Sequence, residues 1–349
     1  MLKHSSDSEP GISRKRVGER AWAYFDAKGK RIADREEIDR LTAIGLPPAY
    51  EKAWFCTDAN GHLQATGVDA RGRTQYRYHA DYRAKRDTAK YEGLLEFGKA
   101  LPRLRRRVEA DLKRRKLGRD TVLAAVVRLL DTEHIRIGNE QYAKDNKSFG
   151  ATTLRSRHMR RKGARLSMRF VGKHGIVHEA KITDSNLKRV VKRCQELPGQ
   201  MLFQYVNGDG VPQAISSSDV NDYIRAGSKG DFTAKHFRTW RASVIAFDQL
   251  LAKSEHSRIS IKTVVEPVAE ALGNTVAMSR KSYVHPALLD AVKEDSRDPL
   301  DGMNRPRARK RLSSEEVGLL LFLARDAKRV RRRRPARTDQ AATARKIAA

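Results

Sequence analysis

Five residues in this chain are of types that, brought together, could handle a phosphate ester. Tyr283 lies in GNTVAMSRKSYVHP (273–286), just after Arg280, Lys281 and Ser282. Arg136 sits between Ile135 and Ile137 in EHIRIGNEQY. Arg238 stands in KHFRTW, three residues after Lys235. Lys173 lies between Gly172 and His174 in GKHG, and Asn274 follows Gly273. Planar guanidiniums bind and stabilise a charged, five-coordinate phosphorus through forked donors. An asparagine amide adds a neutral donor to a non-bridging oxygen. A lysine can protonate the departing oxygen, and a tyrosine hydroxyl can attack and form a covalent intermediate. Each residue also has an ordinary structural reading. A tyrosine ring can rest on the core with its hydroxyl in water, and Arg136 can pair with Glu133 or Glu140. Arg238 can be a paired structural arginine, Lys173 a solvated turn lysine, and Gly273-Asn274 a helix stop. DxD-type carboxylate groups suited to Mg²⁺ are absent, so no metal is expected and the arginines would have to neutralise charge instead.

The elements that must position these groups change character along the chain. From Trp22 to Tyr82, short stretches alternate apolar and polar residues around GLPPAY, ANG and ARG, which are hairpin and turn signals. Near Tyr82 the period becomes helical, with Leu94, Leu95, Phe97 and Leu101 on one face. Gly118 should stop that helix and Asp120 cap the next, TVLAAVVRLLDTEH, which is apolar on most sides and should be buried. ARLSMRFVGKHGIVHEAKIT alternates again, with Leu166, Met168 and Phe170 on one face and GKHG as the hairpin turn. Helices dominate from Asp184 onward. The pattern predicts an α+β protein with a small β-rich domain at 16–82 and a larger, mainly α domain at 83–324. Residues 1–15 read as a disordered arm. Residues 325–349, with ten basic side chains against Asp326 and Asp339 and the run RRRR, read as a solvated basic tail.

Composition narrows the partner. Across 349 residues, 72 Lys and Arg stand against 42 Asp and Glu, a formal net charge of +30. Such a chain repels itself unless a polyanion neutralises it, and nucleic acid fits because counterion release rewards each phosphate contact. A membrane surface fits less well, since the basic residues are spread over the whole chain and not gathered on one amphipathic helix. No apolar run could span a bilayer, and the first residues lack the apolar middle of a signal peptide. Cys56 and Cys194 lie far apart with no metal-ligand spacing, which argues against a disulfide framework or zinc site and suits a reducing cytoplasm.

With these motifs in hand, the chain resembles the type IB DNA topoisomerases of the small, poxvirus-like bacterial kind. GLPPAYEKAWFCTDANGHLQATGVDARGRTQYRYH is similar to that family's N-terminal β domain. IRIGNEQYAKDNKSFGATTLRSRH, VKRCQELPGQMLFQYV, SSSDVNDYIR, DFTAKHFRTW and ALGNTVAMSRKSYVHP resemble successive blocks of its catalytic domain, in the family's order, over roughly Arg20 to Val292. The resemblance implies a clamp around duplex DNA that needs no cofactor, metal or ATP. It implies a nucleoid-associated enzyme acting as a monomer. It also implies roles: Tyr283 as nucleophile, Arg136 and Arg238 as transition-state stabilisers, Lys173 as general acid, and Asn274 at a position held by histidine in viral and eukaryotic members. Gln75, Tyr76 and Tyr78, with Asn139 and Tyr142 of IRIGNEQY, would contact DNA. His174, His236 and Val276 depart from the family's usual Ser or Asp, Asp, and Pro, and FRTWRAS replaces FRTWAGT. None of these changes removes one of the five groups. A tyrosine recombinase uses a related site but prefers His-x-x-Arg, where this chain has Lys235, and lacks the β domain. A basic DNA-packaging protein would explain the charge but not the five ordered residues.

Overall fold

The computed structural model describes residues 1–17, 21–163, 165–252, 259–293, 300 and 303–333. The alternation seen in the N-terminal third produces a five-stranded antiparallel sheet, ordered β2-β1-β3-β4-β5. Its strands are β1 (Ile12–Val17), β2 (Ala21–Phe25), β3 (Glu51–Phe55), β4 (Leu63–Val68) and β5 (Thr74–Tyr78). Helix α1 (Arg35–Ala43) joins the sheet's core through Leu41, beside Ile12, Tyr24, Leu46, Phe55 and Ala65. Asp34 caps α1 by accepting from the Glu36 N–H. The ARG turn is built by Asp69, which accepts from the Arg71 and Arg73 backbone N–H groups and binds the Arg73 side chain. Hydrogen bonding to Arg73, more than anything else, holds the Asp69 carboxyl down at about 2.

Two expectations fail in this unit. The first fifteen residues are not a disordered arm. Strand β1 pairs with both β2 and β3, so it lies inside the sheet. Ser5 is buried, its hydroxyl donating to the Leu63 carbonyl at 3.0 Å, and Lys3 reaches Asp58 at 2.6 Å. The strand was hidden because its inward positions are Ile12 and then Arg14, whose guanidinium donates to the Leu46 and Pro47 carbonyls at 2.8 and 2.7 Å. A polar residue satisfied by backbone carbonyls leaves no apolar alternation to read. The boundary also moves: helix α2 (Ala80–Glu92) belongs to the first compact unit, and the second begins at Gly93, not at residue 83.

The second unit is built around two helices, α3 (Leu94–Lys113) and α4 (Arg119–Glu133). Val122, Leu123, Ala124, Ala125 and Val126 of α4 are all 0% exposed, as its all-round apolar sequence requires. Gly118, not Asp120, is its N-cap; Asp120 sits in the first turn. Helix α5 (Glu140–Asn146) leads to a three-stranded antiparallel sheet of β6 (Met159–Lys162), β7 (Arg165–Val171) and β8 (Val177–Ile182), with β7 central. Leu166, Met168 and Phe170 of β7 turn into the core as the alternation predicts. Helix α6 (Ser185–Gln195) and the small hairpin of β9 (Gln204–Val206) and β10 (Pro212–Ala214) follow. Then come α7 (Ser217–Ser228), α8 (Ala234–Ala252), α9 (Ile261–Leu272), α10 (Val276–Ser282), α11 (Pro286–Lys293) and α12 (Ser314–Arg333). Helix α7 starts with the capping box of Ser216 and Asp219. The basic segment expected to be unfolded from residue 325 instead continues α12 through Arg333, carried on from the buried Phe322 and Leu323 and braced by Arg329–Asp326. Residues 334–349, including the last arginine of RRRR, lie outside the described residues. No helix among the described residues is long and apolar enough to cross a membrane.

One buried ionic cluster ties four of these helices together. Arg105 of α3 binds Asp131 of α4 at 2.8 Å and Glu316 of α12 at 2.7 Å, and Trp240 of α8 donates its indole N–H to Glu316 at 2.9 Å. Burial pushes the Glu316 carboxyl up, but the Arg105 hydrogen bonds and charge outweigh it and leave it below the ordinary glutamate value. Its stabilising contribution is therefore present above that ordinary value and is lost as the pH falls through the lower, folded one. Arg105→Ala strands two buried carboxylates, and should cost about 3–5 kcal/mol in urea unfolding of the full chain. A loss below about 1 kcal/mol would contradict the cluster's structural role.

Candidate active site

The site is assembled from helix ends. Helix α4 terminates at His134, which takes the left-handed conformation at φ 52°. The chain then runs extended through Arg136 to Gly138. Here the backbone folds against Gly150 so closely that a Cβ at Gly150 would lie 2.5 Å from the Gly138 nitrogen. Ala151 and Thr152 donate their N–H groups to the Arg136 and Ile137 carbonyls at 2.8 and 2.7 Å, fixing this segment. Arg238 projects from α8. Helix α9 ends on Gly273, whose left-handed φ of 58° turns the chain into Asn274. Thr275 caps α10 by accepting from the Met278 N–H. Tyr283 is the residue just past α10, its N–H bonded to the Ser279 carbonyl at 3.0 Å. The fully buried Val284 and the bond from the His285 N–H to the Ser243 hydroxyl, 3.1 Å, pin it from the other side.

Four of the five sequence candidates meet there. Arg136 Nη2 donates to Asn274 Oδ1 at 2.8 Å, across 138 residues of sequence. Arg238, only 4% exposed, donates to the His134 carbonyl, to the Leu272 carbonyl at 2.9 Å and to Asn274 Oδ1 at 3.5 Å. Its guanidinium carbon lies 5.2 Å from the Tyr283 ring centroid. The ordinary readings of both arginines therefore fail. Glu140 pairs with Arg155, and among the described residues neither arginine meets a carboxylate; Arg238 is held by carbonyl oxygens. Three buried nitrogens, Arg136 Nη1, Arg238 Nε and Asn274 Nδ2, have no hydrogen-bond partner. Buried donors are normally satisfied, so a cluster of such N–H groups beside a tyrosine is a site prepared for an anion.

The charge distribution acts on the tyrosine. Burial pushes the Tyr283 phenol up, but the positive charges of Arg238 first and then Arg136 pull it below its ordinary value. Arg238 is itself lowered, first by burial and then by Arg136. His134 is pushed down to about 3, by burial first and then by Arg241, Arg238 and Arg105, so it is a neutral neighbour.

Lys173 is not part of this cluster. It starts the exposed 3₁₀ turn Lys173–Gly175 at the β7–β8 tip. Among the described residues no hydrogen bond or ion pair ties it to the other four. In the first unit, β5 is an edge strand. Tyr76 and Tyr78 are 50% and 36% exposed with rings stacked 6.2 Å apart, and Gln75 is held by Asp69 at 3.0 Å. Asn139 is exposed and opens onto a cleft of about 560 Å³ with Thr152, Arg155 and Ser217. The Tyr142 side chain lies outside the described residues. Of the three departures, His236 accepts from the Thr233 N–H at 3.0 Å at the start of α8, His174 takes φ 66° in the turn beside Lys173, and Val276 opens α10. Sequence reasoning missed the carbonyls of His134 and Leu272, because every residue has a carbonyl and only the fold aims it. It also missed His178, taken up below. Among the described residues no group of three or more His, Cys, Asp or Glu could hold a metal ion.

A tyrosine whose ionisation two guanidiniums favour, with an amide and unfilled buried donors nearby, has the charge distribution that a phosphate ester would require. Residues 79–298 match the family described as "Eukaryotic DNA topoisomerase I, catalytic core", and residues 21–69 match "Bacterial DNA topoisomerase IB, N-terminal domain". The first match spans more than half of the chain, which belongs to the type IB DNA topoisomerase family. The chain is 28% identical over 286 residues to DNA topoisomerase 1B of Acanthamoeba polyphaga mimivirus, covering 78% of this chain and 85% of the relative. It is 24% identical over 250 residues to DNA topoisomerase 1B of Vaccinia virus (strain Copenhagen), covering 70% and 76%.

The electrostatics can be read without any substrate. In protein carrying ¹³C-labelled tyrosine, Tyr283 should ionise below the ordinary phenol value of 10.0. Arg136→Ala removes a positive charge that favours the phenolate, so the transition should move to higher pH. A Tyr283 signal that titrates at or above the ordinary value in the unaltered protein, or that does not move in the variant, contradicts the assigned coupling.

Proposed function

We propose that the protein relaxes supercoiled duplex DNA by transient cleavage of one strand. Arg136, Arg238 and Asn274 hold the non-bridging oxygens of a phosphodiester. The Tyr283 hydroxyl gives its proton to water, its phenolate oxygen attacks phosphorus, the P–O5′ bond breaks, and Lys173 gives its proton to the departing 5′ oxygen. The products are a 3′-phosphotyrosyl link and a free 5′-hydroxyl strand, which swivels about the intact strand. That hydroxyl then attacks the phosphotyrosine, returning its proton to Lys173 and releasing Tyr283 as the phenolate, which takes its proton back from water. Each step exchanges one phosphate ester for another, so no ATP is consumed. The two guanidiniums supply charge stabilisation of the kind a metal would provide elsewhere.

The observation that carries this reading is the set of three partnerless N–H donors around Tyr283, on groups Arg136, Arg238 and Asn274. Membership of the topoisomerase family supports it. The DNA contacts follow by the same reading. Tyr76 and Tyr78, exposed on an edge strand, with Gln75 beside them, face duplex DNA, and Asn139 and Tyr142 flank the cleaved strand. All five chemical groups come from one chain, so the enzyme acts as a monomer.

Supercoiled plasmid incubated with the protein in EDTA and without ATP should yield a ladder of relaxed topoisomers. A plasmid without a recombination site suffices, which separates this activity from site-specific recombination. A packaging protein would leave no covalent adduct. Tyr283→Phe keeps the ring and its packing, and should bind DNA near normally while neither relaxing plasmid nor forming an adduct. The adduct of the unaltered protein should map to the peptide containing Tyr283, joined to a DNA 3′ end. An adduct on another residue, a 5′ linkage, or an active Phe variant would overturn the assignment. Lys173→Ala should slow cleavage by about 10²–10⁴-fold. A substrate with sulfur in place of the bridging 5′ oxygen should restore the rate, because a thiolate departs without a proton. Absence of that rescue removes Lys173 from the general-acid role.

A further inference from the structure

The geometry leaves Lys173 at an exposed tip while its four partners are fixed by helix ends, so something must set the distance between them. One side chain stands against the residue before Lys173 and the residue before Asn274. His178 stands on β8 directly opposite Phe170 of β7, with the two rings stacked at 5.1 Å and 16°. Phe170 is 4% exposed and belongs to the main core, so the imidazole is laid flat on a rigid surface. One edge of that ring abuts Gly172: a Cβ there would lie 2.6 Å from His178 Cδ2 and 2.7 Å from Nε2. The adjoining edge, across Nε2, faces Gly273, where a Cβ would lie 3.3 Å from His178 Cε1 and 3.9 Å from Nε2. Gly172 and Gly273 are the residues immediately before Lys173 and Asn274.

We propose that His178 is a positioning residue for the cleavage step: its imidazole, wedged between Gly172 and Gly273, sets the register of the Lys173 tip against the turn that leads to Asn274 and Tyr283. Gly172 is then explained as well. Gly172 is at φ −94°, open to any residue, so its requirement is for space and not for conformation. Burial first, and then Arg238 and Arg136, lower the His178 pKa, which keeps the ring uncharged beside two cations. His178 does not touch the phosphate on this reading; it acts through where it holds Lys173. A misplacement of about 1 Å is sufficient to cost on the order of 10²-fold in rate.

The inference rests on Lys173 as general acid, and sulfur substitution tests both separately. Single-turnover adduct formation at saturating DNA would be measured for His178→Ala, which removes the wedge, and Gly172→Ala, which drives a methyl into it. Both should be slower on the ordinary substrate by on the order of 10- to 10²-fold, and both should recover to within a few-fold of the unaltered protein on the 5′-sulfur substrate. Thermal melting identifies a variant that has lost its fold, and the Gly172 variant, which keeps both the Phe170 and His178 side chains, is the second measurement. If Lys173→Ala recovers with sulfur but the His178 and Gly172 variants do not, the positioning role is overturned while the general-acid role stands. If Lys173→Ala itself fails to recover, both fall. Unchanged rates in both variants overturn the positioning role alone.

Discussion

Two guanidiniums forced together without a carboxylate are the constraint on which this structure depends. Like charges repel, and a cation removed from water loses hydration. Arg238 is nevertheless 4% exposed and within reach of the same Asn274 oxygen as Arg136. What compensates it is backbone. The His134 carbonyl follows α4 and the Leu272 carbonyl ends α9, and both point at Arg238. Carbonyls at a helix C-terminus have no partner inside the helix and carry the negative end of its dipole. They fix the guanidinium with partial charges only, leaving its positive charge available to an anion.

The contrast with Arg105 shows what that choice achieves. Arg105 is half-buried, its side chain 16% exposed, and Asp131 and Glu316 each face it at salt-bridge distance. Its charge is cancelled, its donors are filled, and its role is to join α3, α4 and α12. Arg238 has an unfilled Nε instead. Two arginines drawn into the interior thus differ in the charge they leave available because of what oxygen they meet, carboxylate or carbonyl. The second arrangement is the less stable one in isolation, and a fold that maintains it must supply rigidity from elsewhere. The close Gly138–Gly150 approach under Arg136, the left-handed Gly273 before Asn274 and the buried Val284 after Tyr283 supply it.

How much of this could be read in the chain follows from the range of each interaction. Local periodicity showed the hairpin around GKHG, the buried α4 and the Gly-Asn stop before α10, because strand and helix patterns are set by neighbours. The candidate residues were visible as types, and their order along the chain carried the family resemblance. The pairing of Arg136 with Asn274 was not visible, since it joins segments 138 residues apart. Strand β1 was missed because Arg14 is satisfied by carbonyls of a distant loop, and α12 was cut short because charge alone does not end a helix anchored by Phe322 and Leu323. His178 gave no local signal: it occupies an ordinary alternating position in β8, and only its two glycine neighbours, remote from each other in sequence, make it distinctive.

The separation of Lys173 from the other four groups has a physical reason on the proposed reading. A third cation held permanently beside Arg136 and Arg238 would add repulsion that no carboxylate in this site relieves. Placed on a hairpin tip in water, the lysine avoids that repulsion until a phosphodiester arrives and brings its own negative charge. The substrate then supplies the attraction that completes the site, so proton donation is coupled to the presence of the bond to be broken. A flexible tip alone would make that approach imprecise. A tip whose base is stacked on the core through Phe170 and His178 keeps the approach short and repeatable, and leaves the final closure to the phosphate.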